Sequence, residues 1–193
     1  MLSMRCSIQP FLGREQARAL AEATRIFQID AIYSSPLSRS LETARIVADM
    51  HDLDVKVAAG FIDLHYGKWQ GLEHRKVKEK YPDLYLRWQE SPHLVRFPGG
   101  ESLEDVRERA LKELRTIVTE HESQTVMIVS HRVVIKVMLC SIIGLDNSHF
   151  WRLRQDNCCL NIFECSEEAY IIRLLNDICH LRQTTGSTLE ADF

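Results

Sequence analysis

Between Gly13 and Phe27, apolar or half-apolar side chains recur at Ala17, Leu20, Ala21, Thr24 and Phe27, the spacing of one helix face. The run Ile29–Tyr33 then predicts a short strand, closed by Ser34-Ser35-Pro36. Leu41, Ala44, Val47 and Ala48 restore the helical period behind it, with Ser38 as the expected N-cap. Asp54–Ala58 alternates as a strand does. Further on, Asp105 three residues after Ser102 predicts a capping box, followed by an amphipathic stripe at Leu103, Val106, Ala110, Leu114 and Ile117. Val126–Val129 is apolar at every position, the pattern of a strand buried on both faces. It stops at Ser130-His131, and another apolar helical stretch runs to about Ile143. Leu160–Cys165 and Tyr170–Leu175 read as two strands around the turn Ser166-Glu167-Glu168.

Strands alternating with helices point to an α/β layered fold with a mainly parallel sheet. The stretch 61–98 breaks that rhythm. It carries Trp69, Tyr81, Tyr85, Trp88 and Phe97 together with Pro82, Pro92 and Pro98, and predicts short helices and loops beside the sheet rather than a separate domain. Its aromatics read as a small local core, or as a surface for self-association into a homodimer. One domain is expected over 1–193, with a disordered tail at 183–193.

Composition narrows the function classes. A chain of 193 residues, 45% hydrophobic and 26% charged, is that of an ordinary globular protein. A net charge of −3 argues against broad nucleic-acid binding. No apolar run is long enough to span a membrane, and the first ten residues lack the apolar core of a secretory signal. The six cysteines form no Cys-x-x-Cys pair, so no zinc site or disulfide framework is indicated, and a cytoplasmic protein without metal or cofactor is expected. The adjacent Cys158 and Cys159 read as core residues at the start of a strand.

Two predicted strands end in polar clusters, Ser34-Ser35-Pro36-Leu37-Ser38-Arg39 and Ser130-His131-Arg132. Carboxyl ends of parallel strands, beside the starts of the following helices, are where α/β sheets collect ligands. Backbone N–H groups there favour anions, and serine hydroxyls with Arg39 add donors and charge. Ser35, Arg39 and His131 are therefore candidates for a phosphate or carboxylate site. Taken singly, each also reads as an ordinary cap, surface arginine or backbone-bonded histidine.

The whole pattern resembles the histidine phosphatase superfamily, which includes the cofactor-dependent phosphoglycerate mutases. The matching stretches are Leu12-Gly13-Arg14-Glu15-Gln16-Ala17, Tyr33 to Ala44, Asp63 to Gly71, Pro98-Gly99-Gly100-Glu101-Ser102 and Val129-Ser130-His131. The resemblance covers about Leu12 to His180 and implies a phosphoglycerate mutase-like three-layer α/β sandwich, with a mainly parallel central sheet flanked by helices. It implies a phosphohistidine mechanism on a small phosphorylated metabolite. In that mechanism Arg39 clamps the phosphoryl group, His131 is the second histidine, and Asp63, where relatives mostly carry glutamate, protonates the departing oxygen. Ser102 and the Gly99-Gly100 turn would lie near the pocket mouth.

Two departures stand against the match. The family's first strand ends in Arg-His-Gly, whose histidine is the nucleophile, and this chain contains no such tripeptide among its eight histidines. The expectation is a sheet lacking its usual first strand, which would leave inner edges on the strands at Ile29–Tyr33 and Val126–Val129 unless Met1–Ile8 fills in or the two strands close up, and a natural protein that begins further upstream. The second departure is Arg132, where the family has glycine. It either adds charge to the pocket or pairs with an acid. Three functions follow: phosphomonoester hydrolysis in the complete protein, a catalytically inactive phosphate-ester-binding or regulatory module, and phosphoglycerate mutation. The short segment between Asp63 and Pro98 favours the phosphatase over the mutase.

Overall fold

A computed structural model of the protein describes residues 10–166 and 169–182. The first helical period becomes α1 (Pro10–Thr24), and the Ile29–Tyr33 run becomes β1 (Ala31–Ser34). The second period forms α2 (Ser38–His51), followed by β2 (Val55–Val57). Ser38 is the first helical residue and not the cap. Leu37 holds the cap position without a side-chain bond, while its N–H donates to Ser35 Oγ at 3.3 Å.

β1 is the middle strand of a parallel sheet ordered β2-β1-β3, where β3 is Val126–Val129. Ile32 pairs with Val55 on one side and with Met127 on the other. The side-chain alternation of β1 serves two cores. Ile32 packs with Leu20, Ala21, Ala44 and Val47 of α1 and α2. Ala31 and Tyr33 point to the opposite face, covered by α5 (Leu103–Glu120) and α6 (Arg132–Ile142). Helices on both faces of a parallel sheet make three layers.

The aromatic segment folds as α3 (His74–Lys80), α4 (Pro82–Glu90) and short 3₁₀ turns. Phe61, Trp69, Trp88 and Phe97 are almost wholly buried, in one cluster with Leu103, Leu114 and Val137. Trp69 and Trp88 therefore belong to the main core and do not present the self-association surface that their composition suggested. The capping box at α5 forms as predicted: Ser102 Oγ accepts from Asp105 N at 3.3 Å, and Ser102 N donates to Asp105 Oδ2 at 2.7 Å.

One alternative for the sheet is realised and one expectation fails. β1 and β3 close up directly, as hydrogen-bonded neighbours over four residue pairs, from Ala31↔Val126 to Ser34↔Val129. No opening exists between them. β3 is also only half-buried along its length, because its outer edge carries no paired strand among the described residues. The antiparallel pair β4 (Leu160–Cys165) and β5 (Tyr170–Asp177) forms its own two-stranded sheet. Leu160 nevertheless packs on the α1/α2 core and Phe163 on the α5/α6 core, so β4 reaches both layers without bonding to β3. Cys158 is half-buried and packs against the α1/α2 core, but it lies in the turn before β4 with a left-handed φ of 53° and not in the strand. The predicted tail 183–193 and Glu167-Glu168 of the predicted turn lie outside the described residues.

Candidate active site

Because β1 and β3 are parallel neighbours, their polar carboxyl ends meet. Ser35 N donates to Val129 O at 3.0 Å, extending the ladder by one bond past β1. His131 is the next residue but one after β3 and is 6% exposed. Its Nε2 lies 2.7 Å from Ser35 Oγ and 3.3 Å from Ser40 Oγ. Ser40 faces inward because it shares the buried stripe of α2 with Ala44, Val47 and Ala48.

The third strand end delivers the acid. After β2 the chain turns through Ala59–Phe61 and reaches Asp63, whose Oδ2 stands 2.6 Å from Arg39 Nη2 and 3.7 Å from His131 Nδ1. Ser130 Oγ donates to Phe61 O at 2.9 Å and ties the histidine-bearing strand end to the acid-bearing loop. Ser35, Arg39, Asp63 and His131, drawn from three separate stretches of sequence, thus converge on one spot.

The electrostatics of the cluster are asymmetric. Burial pushes the His131 imidazole down to about 4, and the charges of Arg39 and Arg109 push the same way against the pull of Asp63. His131 is therefore neutral near pH 7. An incoming phosphoryl dianion would oppose that trend, since negative charge beside an imidazole favours its protonated form. Arg39 is about half exposed, so its guanidinium remains accessible while paired with Asp63.

The other two predicted residues behave differently. Arg132 is exposed at the start of α6, and its charge is felt by Tyr66 and by Asp156. Ser102 does not join the cluster. Its hydroxyl donates to Asp105 Oδ2 at 2.8 Å and receives Arg96 Nη2 at 3.4 Å, so its hydrogen-bonding capacity is taken by the α5 cap.

Three contributors escaped the sequence reading. Tyr66 packs edge-on against Phe97 with ring centres 5.0 Å apart. Its phenol is held well above its ordinary proton affinity, first by burial and then by Asp63, with Arg132 and Arg39 acting in opposition. That dependence places Tyr66 within the charge field of the site. Ser40 was legible in principle, as a serine at a position of an otherwise apolar stripe. Arg109, on α5, carries no local sequence signal: its Nη1 donates to Gly60 O at 2.7 Å and its Nη2 to Asp63 O at 3.3 Å, contacts made across 49 and 46 residues of chain.

The two glycine-bearing motifs also find a reason. Lys68 N donates to Pro98 O at 2.9 Å and Glu101 N to His65 O at 2.9 Å, so the two loops join backbone to backbone. A side chain on Gly67 would collide with the Pro98 carbonyl, and one on Gly100 with the His65 carbonyl. Gly67 also has a φ of +53°, which glycine adopts without strain.

Comparison with known proteins agrees with this geometry. The chain is 39% identical over 169 residues to phosphoserine phosphatase 1 of Hydrogenobacter thermophilus, covering 88% of this chain and 80% of that protein. The solved structure of Bacillus stearothermophilus YhfR superposes with a TM-score of 0.85 at 29% identity, covering 88% of this chain and 85% of that one. A mycobacterial glucosyl-3-phosphoglycerate phosphatase solved with VO3 gives a TM-score of 0.77 at 25% identity, with 84% of each chain covered. With the profile of the histidine phosphatase superfamily, branch 1, matching residues 11–178, this chain belongs to that superfamily.

Proposed function

We propose that the protein hydrolyses small phosphomonoesters, with a phosphoserine-like compound as the first substrate to try. The observation that carries the reading is the convergence of Arg39, Asp63 and His131, with Asp63 Oδ2 2.6 Å from the guanidinium and 3.7 Å from the imidazole. An arginine and a neutral histidine flanked by serine hydroxyls make a receptor for a phosphoryl group. A carboxyl beside them is placed to protonate a departing alkoxide. The similarity to a phosphoserine phosphatase, and to a phosphatase of a phosphoglycerate derivative, supports a small anionic ester as substrate.

The chemistry proceeds in two transfers. A histidine nitrogen attacks phosphorus, the P–O bond to the alcohol breaks, and the alcohol oxygen takes the proton of the Asp63 carboxyl. Water then attacks the phosphohistidine, gives a proton back to Asp63 and releases inorganic phosphate. Asp63 faces Arg39, and the incoming dianion competes with its carboxyl for the guanidinium. The reading needs a nucleophilic histidine, and none of the eight histidines of this sequence stands in an Arg-His-Gly context.

A second reading is a phosphate-ester-binding module that does not turn its ligand over. It is favoured by the lack of an Arg-His-Gly tripeptide in the sequence. The deciding experiment uses protein purified from its native cells, with intact mass and N-terminal sequence determined on the same sample. Phosphate release is followed from phosphoserine, 3-phosphoglycerate and an aryl phosphate. Saturable release supports the phosphatase. Saturable binding without release overturns it in favour of the module, and conversion of 3-phosphoglycerate to its 2-isomer points to a mutase.

A further inference from the structure

We infer that Glu101 and Arg109 form a positioning pair that sets where the Asp63 carboxylate stands relative to Arg39 and His131. Neither residue touches that carboxylate. They act on the backbone of the loop that carries it.

The guanidinium of Arg109 is spread over four contacts. Its Nε and Nη2 donate to the two carboxylate oxygens of Glu101 at 2.8 and 3.1 Å, a bidentate pair. Its remaining donors reach Gly60 O at 2.7 Å and Asp63 O at 3.3 Å. Glu101 Oε2 in turn accepts from His65 N at 2.9 Å. One ion pair therefore holds the loop on both sides of Asp63. Glu113 of the same helix fixes the start of that loop by accepting Gly60 N at 3.1 Å.

The pair suits this task better than it suits general stability. Both side chains are about four-fifths buried, which makes the bonds geometrically defined, yet a buried ion pair offers little net stabilisation over apolar packing. What it does offer is a fixed register. Arg109 bonds the carbonyls of residues 60 and 63, and a lysine with one nitrogen could not satisfy those and both Glu101 oxygens. Gly60 permits the close approach, because a side chain there would stand 2.6 Å from Glu113 Cβ and 2.9 Å from Arg109 O. The distance that matters to chemistry, 3.7 Å from Asp63 Oδ2 to His131 Nδ1, depends on this register: among the described residues the Asp63 carboxylate is bonded only by Arg39 and Leu64 N, and Ser130 Oγ holds the same loop further back, at Phe61 O.

The inference rests on the reading of Asp63 as the proton donor, but its test needs no turnover. The His131 imidazole is titrated by NMR, its resonance assigned by its loss in H131Q. Asp63→Asn removes the charge that raises the His131 midpoint, so D63N lowers that midpoint in the wild-type background. The same D63N step is then measured in Arg109→Met and in Glu101→Gln. A positioning role predicts that the D63N step shrinks to less than half in both backgrounds, with native circular dichroism retained. Where R109M fails to fold, Arg109→Lys replaces it, keeping the charge but losing the fork. A D63N step of unchanged size in these backgrounds, with only the melting temperature lowered, overturns the inference and leaves the pair a structural one. Absence of phosphate release from the native enzyme would instead overturn the proposed function and leave this coupling measurable.

Discussion

The core under α5 and α6 and the flank beyond β3 are made of similar apolar residues, yet they reach different degrees of closure. On the first side Phe61, Trp69 and Trp88 are 0–1% exposed, and the two tryptophans each have several aromatic neighbours. On the second side all four residues of β3 remain half-buried, and β4 stands apart from them. The helical side is complete in itself. The strand side is finished on only one edge. His131, itself buried, stands two residues past the end of the half-covered strand.

The largest test of that contrast is a pair of truncations. Trp88→Ala, in the sealed cluster, should cost about 3–5 kcal/mol in denaturant unfolding. Met127→Ala, on half-buried β3, should cost about 1–2 kcal/mol, because less surface and less cavity are at stake. Equal losses would break the comparison.

Next in size is a pH effect from His131. Its folded value, about 4, lies below its ordinary 6.5, so the unfolded chain binds the extra proton between these limits. The stability linked to His131 is thus fully present above pH 6.5 and is lost as pH falls toward 4, by up to roughly 3 kcal/mol. Urea melts across that window should show the slope in wild type and a flatter profile in H131Q. An equal slope in both proteins would mean that His131 is not held neutral by burial.

The smallest effect concerns the residue that the site did not recruit. Ser102→Ala should cost about 1 kcal/mol through loss of the α5 cap. It should leave phosphate affinity at the Arg39 cluster unchanged. A large loss of affinity with little loss of stability would return Ser102 to the site.

Much of this was legible because the governing signals are local. The stripe at Leu103, Val106, Ala110, Leu114 and Ile117 and the Ser102–Asp105 box fix α5 without reference to the rest of the chain. The two strand ends carrying Ser35 and His131 were readable for the same reason, since strands in parallel must align their carboxyl ends. Strand order was not legible. Nothing within Ile29–Tyr33 or Val126–Val129 says that they are neighbours, so their closing up stood only as one alternative among several. Full burial of β3 was wrong for a related reason: an all-apolar run reports what a strand tolerates, not what covers it. Arg109 and Tyr66 were invisible because their roles depend on loops and helices that only the fold brings together.

The central claim is that the cluster of Ser35, Arg39, Asp63 and His131 receives a phosphoryl group. The measurement that meets it most directly is the NMR titration of the His131 imidazole with and without excess inorganic phosphate, in wild type and in Arg39→Ala. The account predicts that phosphate raises the His131 midpoint from about 4 toward neutrality, because the dianion stabilises the imidazolium, and that R39A weakens the effect. A midpoint indifferent to phosphate, or one that responds equally without Arg39, would contradict it.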